Sequence, residues 1–593
     1  MSTLVLMALY LATSAPDLTF WDAAELTTAA HTLGIPHPPA TPLWVLLGNL
    51  ASKLFSASGP ARSVTILSVI ASALVGGAGA LLTARWIGAR GAVVAAVSAG
   101  AMMSVWSNAT ETEVYAVALL ASALMLVAGE RAGRHDVSDA QRDRWRALIV
   151  FLAAISVPLH LSVLVALPAA VVLGWRGQRP TTRALLAWSA LALLGLSAVA
   201  VLPYLAGRDP ALNSGNPSTV GALIDVLQRK QYAVAGLWPR RAPLWLQLGN
   251  VFEWADWQVA FGLHPEPAPS FARTTLSVLW VWLGALGLRA LFRHEARVGR
   301  AMTVLLLSGT FGVALWLNLR AGPSYGQPLL PVGALHEARE RDYFFVLGFW
   351  AWGLCAGAGM TAMTRALARR LPAPIALLPL ALAAVPVLAN RPVMDRTREP
   401  AATLPRTIGR LLLSSVPPNA VLYVAGDNDA FPLWYLQQVE SMRSDVLVVT
   451  VPLLGAPWYR HELARRHRLL PSSSVGSWPG MNQVLAQTAG AARRSFRPIR
   501  VSVALTSAER IALDPSTGWV LEGLVWAPNS TVAAGASGLD LAAMRRQAEQ
   551  VPPSAFLPIV GADPVYGQMQ ALLRCALVTG LADTLLVGTC NGG

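Results

Sequence analysis

The sequence predicts a polytopic, mainly α-helical membrane protein followed by an α/β domain, and three observations carry that prediction. Of 593 residues, 54% are hydrophobic and only 13% charged, with a mean hydropathy of +0.48. An ordinary soluble domain carries about a quarter charged residues. Apolar runs approaching the roughly 20 residues that a bilayer crossing needs recur up to residue 390. After Asn390 no run of that length remains, and strand-like stretches alternate with helical ones, the pattern of an α/β domain. The expected domains are therefore 1–390 in the membrane and 391–593 outside it.

The apolar runs lie at 4–15, 62–84, 91–106, 114–129, 147–173, 184–205, 274–292, 301–318, 343–363 and 372–389. No basic residue precedes the first run, as one would in a cleaved signal peptide, so it is read as a membrane helix. Short arginine-rich connections, such as Arg131–Arg146 and Arg293–Arg300, are expected on the cytoplasmic side. Connections 16–61, 107–113, 206–273 and 319–342 hold the carboxylates, aromatics and prolines, and are expected on the opposite side. Run 147–173 has arginines at both ends, so one crossing breaks parity. Pro158 and His160 near its middle suggest two short helices meeting at a tip, tolerated only inside protein or against a watery cavity. Counted as two, it brings the total to about eleven helices, with the N-terminus inside and the C-terminus outside. Residues 41–55 are too short to span and are expected to form an interfacial helix.

The net charge of +14 does not imply nucleic acid. The arginines cluster between apolar runs, where they set topology and meet anionic membrane lipids. Cys355 sits in an apolar run as a packing residue. Cys575 and Cys590 lie where a disulfide can persist; a bond and free thiols both remain open, and their spacing is not that of a metal site.

In the α/β region, Ala420–Ala425 reads as a strand, followed by the turn Gly426-Asp427-Asn428-Asp429 and a helix over 431–440. Asp445–Val451, Pro498–Leu505 and Trp519–Trp526 read as further strands, and Leu539–Gln550 as a helix.

The chemistry concentrates in the loops. After the first helix, Trp21-Asp22-Ala23-Ala24-Glu25-Leu26 places two carboxylates on one helical face. One can take the proton from an attacking hydroxyl; the same spacing also fits a capping box. The stretch Gly34-Ile35-Pro36-His37-Pro38-Pro39 is stiffened by proline. Glu111 and Glu113 occupy a short turn between helices, where carboxylates are exposed or mark a polar cavity. They could position a substrate or hold a cation such as Arg341. Arg339 and Arg341, beside Glu340 and Asp342, offer forked donors suited to phosphate, or an ion-pair cluster anchoring a helix. His160 at the hairpin tip is a phosphate or acceptor candidate, or simply a hydrogen-bonded histidine. Asp427 and Asp429 have the spacing of a D-x-D metal site, but they fall between a strand and a helix, where Asp429 is expected as N-cap and Pro432 in the first turn. Tryptophans in 206–273 fit either a headgroup belt or sugar stacking.

Taken together these motifs resemble a family. Trp21-Asp22-x-x-Glu25-Leu26 with Leu33-Gly34-Ile35-Pro36-His37-Pro38-Pro39, then Glu111-x-Glu113-Val114-Tyr115, Arg339-Glu340-Arg341-Asp342-Tyr343-Phe344, and Gly426-Asp427-Asn428-Asp429-x-Phe431-Pro432 are similar to a GT-C glycosyltransferase family, formerly of unknown function, that includes protein O-mannosyltransferases. The likeness runs to about Tyr459, and 470–593 match nothing in it. One departure is Ala40, where the family carries glycine.

The resemblance implies a GT-C membrane domain and a polyprenyl-phosphate-linked sugar donor, mannose. It also implies an extracytoplasmic acceptor, Ser or Thr of a protein. Asp22, with Glu25 next, matches the family's essential carboxylate. His37, Glu111, Glu113, His160, Arg339, Arg341, Asp342, Asp427 and Asp429 are the expected substrate-binding residues. The reaction is expected to invert the anomeric carbon with neither cofactor nor metal, in a bacterial inner membrane. The competing readings are a lipid-linked-sugar transporter, and a transferase acting on a lipid or glycan acceptor.

Overall fold

The computed structural model describes residues 1–577, except 178, 233–234, 326–328, 332, 473–474 and 562. Its first half is a helical assembly: α1 (Ser2–Thr13), α2 (Asp22–Thr32), α3 (Pro42–Leu54), α4 (Pro60–Ile87), α5 (Ala89–Gly100), α6 (Met103–Thr110), α7 (Val114–Ala132), α8 (Asp139–Leu159) and α9 (Leu167–Gly174). Four longer segments, Thr182–Ala206, Phe271–His294, Ala296–Leu317 and Asp342–Leu367, are followed by Ala373–Met394. The chain is a multi-pass membrane protein.

Among the described residues, seven helices are long and apolar enough to cross a bilayer, or eight if α5 and α6, bent by 73°, form one span. The expected count of eleven is not reached, for two reasons. α1, with 12 residues, is about 18 Å long, and Leu161–Gly174 is also short. α8 spends its first turns on Asp139, Arg142, Asp143 and Arg146. The break expected within 147–173 is present: α8 ends at Leu159 and His160 is extended. α3, with 13 residues, is also shorter than a span.

Beyond residue 400 lies a six-stranded sheet of order β2-β1-β3-β5-β4-β6, with β1 (Val421–Val424), β2 (Leu447–Thr450), β3 (Ile499–Ser502), β4 (Gly518–Leu521), β5 (Val525–Asn529) and β6 (Ser537–Leu539). β1 runs parallel to both neighbours, with Leu422 opposite Val448 and Arg500. All four of its residues are buried, as befits a strand covered on both faces. The single strand expected at 519–526 is instead two antiparallel strands, Leu521 pairing with Trp526. The intervening turn Glu522-Gly523-Leu524 escapes a periodicity reading because Leu524 is itself apolar and buried. The helix expected from Phe431 starts earlier and spans Asp427–Gln438. That expected over 539–550 spans Leu541–Ala548.

The two halves share one seam. Leu18, Phe20 and Ala24, from the loop after α1 and the start of α2, belong to the apolar core of the sheet. Arg406 clamps the same loop, donating to Asp17 and, at 2.6 and 2.7 Å, to Glu440. The first acidic loop is therefore built into the α/β domain as well as the membrane domain. Cys355 is buried and free. Cys575 is disulfide-bonded, and Cys590 lies outside the described residues.

Candidate active site

α2 begins at Asp22 behind Trp21, whose backbone has φ 59° and ψ −143°. A bulky residue there is a true outlier, and such strain persists only where the surroundings hold it. Three contacts do so. The Trp21 backbone N–H donates to Asn428 Oδ1 at 2.8 Å and its indole N–H to Asp563 Oδ2 at 2.9 Å. Its ring lies under the Arg339 guanidinium at 4.9 Å. Trp21 makes no side-chain cap, so the capping box that the sequence left open is absent.

Asp22 and Glu25, although on one helix, have different partners. Arg339 Nη2 donates to Asp22 Oδ2 at 2.7 Å. Burial would raise the Asp22 carboxyl, but the Arg339 guanidinium, with His37 and Arg341 beyond it, holds it below its ordinary value. Glu25 is buried, accepting the His37 backbone N–H at 2.8 Å and lying 2.5 Å from His37 Nδ1. Burial would lower His37, yet the Glu25 carboxylate overrides it and raises the imidazole to about 9. Glu25 is thus occupied by an imidazolium, and Asp22 keeps Oδ1 without a hydrogen-bond partner among the described residues. The stiff loop serves to deliver His37 to Glu25. Ala40 on that loop has φ 68°, the left-handed region that glycine enters freely.

Arg339 is further held by its Nε donating to the Tyr343 hydroxyl at 3.1 Å, with its guanidinium 4.5 Å from that ring. Arg341 donates to the same hydroxyl at 2.5 Å and to Glu337 Oε2 at 3.1 Å. One phenolic oxygen therefore fixes both arginines. Nη1 of Arg339 makes no protein hydrogen bond among the described residues.

This cation faces a cavity of about 380 Å³, whose wall includes Trp21, Glu111, Glu113, Arg339, Asp342 and Arg396. Glu111 pairs with Arg396 at 3.0 Å, not with Arg341 as the sequence suggested, because Arg341 is already bound to Glu337. Glu113 caps α7, its Oε2 accepting the Val114 N–H at 3.0 Å. Burial first, then the charges of Asp22 and Glu111, push its carboxyl up to about 8. Asp342 accepts from Ser104 Oγ at 2.5 Å.

His160 stands slightly apart. Its Nδ1 is 2.8 Å from Ser162 Oγ, where it caps the following turn, and its ring meets Tyr115 edge-on at 4.7 Å. Tyr115 in turn packs 5.1 Å from Tyr343. Of the expected site residues, Glu111, Glu113, Arg339 and Asp342 line the cavity, whereas His160, like Asp22, Glu25, His37, Arg341, Asp427 and Asp429, does not.

Asp427 and Asp429 have separate duties. Asp429 is buried, and its two oxygens accept the backbone N–H groups of Ala425 (2.9 Å) and Gly426 (2.8 Å). It is the third residue of its helix rather than the expected N-cap, which is Gly426. Asp427 is exposed at the helix start, and its charge reaches His37. The turn sits at the carboxyl end of β1, between parallel β2 and β3. That is the switch point at which open α/β sheets present functional loops.

Sequence reasoning missed Arg396, Asn428 and Asp563. Arg396 is the cation of the cavity's second ion pair, yet it lies beyond the last helix without a flanking motif. Asn428 reads in the sequence only as part of the turn Gly426-Asp427-Asn428-Asp429. Asp563 belongs to a stretch with no pattern pointing to the site.

Comparison with known proteins bears on this arrangement. Residues 22–182 match the protein O-mannosyl-transferase TMEM260 N-terminal domain, and residues 405–477 match TMEM260-associated domain 2. The mouse protein O-mannosyl-transferase TMEM260 is 24% identical over 460 residues, covering 75% of this chain and 61% of that protein. The chain thus spans less than two thirds of that relative's length. Among solved structures, apo ArnT from Cupriavidus metallidurans superposes with a TM-score of 0.53 at 12% identity, covering 90% of this chain and 97% of that one. The Archaeoglobus fulgidus oligosaccharyltransferase scores 0.44 at 12% identity, covering 89% and 74%. The first matched domain begins at Asp22 and contains Glu25, His37, Glu111, Glu113 and His160; the second contains Asp427 and Asp429. The chain is a multi-pass membrane protein with the fold of the ArnT structure, and two of its segments match domain models of the TMEM260 protein O-mannosyl-transferase family.

Proposed function

We propose that this chain is a glycosyltransferase that takes a sugar, mannose, from a polyprenyl-phosphate carrier and places it on a Ser or Thr hydroxyl of a protein outside the cytoplasm. The observation that carries this reading is the Asp22–Arg339 pair at 2.7 Å, whose arginine lines a cavity between the helical assembly and the α/β domain. It joins a base to a phosphate-binding cation. The matched O-mannosyl-transferase domains support the choice of sugar and acceptor.

In the proposed reaction, the acceptor oxygen attacks the anomeric carbon while the bond from that carbon to the phosphate oxygen breaks, inverting the centre. The hydroxyl proton passes to Asp22. The departing polyprenyl phosphate takes the bonding electrons and is held by Arg339 and Arg341, whose planar donors suit phosphate oxygens. A monophosphate leaving group can be stabilised by guanidinium alone, so the step as written uses no metal ion. When the donor phosphate engages Arg339, the Asp22 carboxylate shares its counter-ion and becomes the stronger base.

The test is to incubate the purified protein with polyprenyl-phosphate mannose and a pool of secreted polypeptides, and to read sugar on Ser or Thr by mass spectrometry. Transfer of mannose with inverted configuration is expected. Transfer only from a nucleotide sugar, or no transfer from any polyprenyl-phosphate sugar, contradicts the reading.

A further inference from the structure

The cavity at Arg339 has two unlike walls. One comes from the helical assembly, through Met103, Ser107, Trp257, Val393 and Met394. The other comes from the α/β domain, through Ile559, Val560, Asp563, Val565 and Tyr566. This second wall lies outside both matched domains, which end at 182 and 477. It is nonetheless tied to the site. Besides holding the Trp21 indole, Asp563 accepts the Val565 backbone N–H at 3.0 Å. Tyr566 packs edge-on against Phe20 at 4.9 Å, and its hydroxyl supports the charge of Arg396.

We infer that the wall formed by Ile559, Val560 and Asp563–Tyr566 selects the acceptor, and that it is built for a polypeptide segment rather than a glycan. This inference rests on the reading of the chain as a transferase. A carrier with a long apolar tail reaches the cavity from the helical side, because its tail stays in lipid; the α/β wall faces whatever arrives through water. The chemistry of that wall then separates the acceptor classes. Ile559, Val560, Pro564 and Val565 are apolar, both oxygens of Asp563 are already bonded within the protein, and the polar groups left on this wall are the Gln568 amide and the Tyr566 hydroxyl. A glycan brings many hydroxyl groups that need polar partners on burial, and this wall has few to offer. A peptide flank brings apolar side chains that it can cover. Val560 is 44% exposed, so it can be enlarged without disturbing the core.

The experiment uses the full chain in nanodiscs with polyprenyl-phosphate mannose and a pool of synthetic peptides bearing Ser or Thr. Val560→Trp is expected to raise the KM for peptide about tenfold while the KM for donor stays within about twofold, a split that a merely structural lesion would not produce. A photo-crosslinking residue at position 560 is expected to capture the peptide and not the polyprenyl phosphate, a readout that needs no turnover. Capture of the lipid at 560, or a Val560→Trp variant with unchanged peptide KM, overturns the inference. So does preferential capture of an oligosaccharide over the peptide. Capture of peptide by the crosslinker at 560, with no sugar transferred from any polyprenyl phosphate by the wild type, overturns the transferase reading and leaves the wall assignment standing.

Discussion

Arg339 reaches across 317 residues of sequence to place Nη2 2.7 Å from Asp22 Oδ2, while the Tyr343 hydroxyl holds its Nε. The guanidinium is shared between the candidate base and the cavity. On the proposed reading, the same guanidinium restrains the base and meets the carrier phosphate.

Tyr343 is therefore expected to govern donor binding without taking part in the chemistry. Tyr343→Phe keeps the ring stack on Arg339 but removes the oxygen that both arginines use. Losing one such hydrogen bond costs about 1 kcal/mol. The donor KM should rise about fivefold with kcat little changed, measured by steady-state transfer at varied carrier concentration. A fall in kcat alone would assign the phenol to the chemical step instead.

Arg339→Lys should be damaging despite its retained charge. Lysine cannot bond Asp22, Tyr343 and a phosphate through one planar group, nor lie flat on Trp21. A loss of at least about tenfold in kcat/KM is expected. Activity equal to that of the parent would show that the site requires only positive charge.

The Glu25–His37 pair makes a pH-dependent contribution to stability. The folded-state pKa of His37 is raised to about 9 from an ordinary 6.5. The stabilisation is therefore fully present below about pH 6.5 and is lost as pH rises through about 9. Thermal unfolding of the wild type and of His37→Gln should differ most at pH 6 and converge by about pH 10. A difference independent of pH would mean that the pair is not an imidazolium–carboxylate pair.

Glu111 and Arg396 are largely buried, with side chains 19% and 14% exposed. Removing Arg396 alone strands a carboxylate and should cost about 3 kcal/mol, whereas replacing both by Glu111→Leu and Arg396→Met should recover most of that loss. Chemical denaturation of the three proteins gives the comparison. Equal losses in the single and double variants would contradict a paired role.

The membrane helices and the α/β switch were legible because each rests on local pattern. The runs at 62–84 and 114–129 became Pro60–Ile87 and Val114–Ala132, and Ala420–Ala425 became β1. Site residues were legible as candidates but not as partners. Glu25 and Asp22 have the same spacing whether they act together or apart. Only the fold reveals that the proline loop carries His37 onto Glu25 and leaves Asp22 to Arg339. Arg396 and Asp563 had no local signal, since each acts on a residue hundreds of positions away. The turn points to Asp429 as N-cap, but the helix starts at Asp427, with Pro432 at its sixth position, so Asp429 stands third and its carboxylate accepts the N–H groups of Ala425 and Gly426.

In the proposed reaction Asp22 removes the acceptor proton beside a cation that holds the carrier phosphate. Asp22→Asn tests it most directly, with transfer rate and polyprenyl-phosphate binding measured on the same preparation. The expected result is a fall in kcat of at least about a hundredfold, with carrier binding unchanged or tighter because Arg339 is released from its counter-ion. A variant that transfers sugar at the parental rate, or that loses carrier binding together with activity, would contradict the assignment.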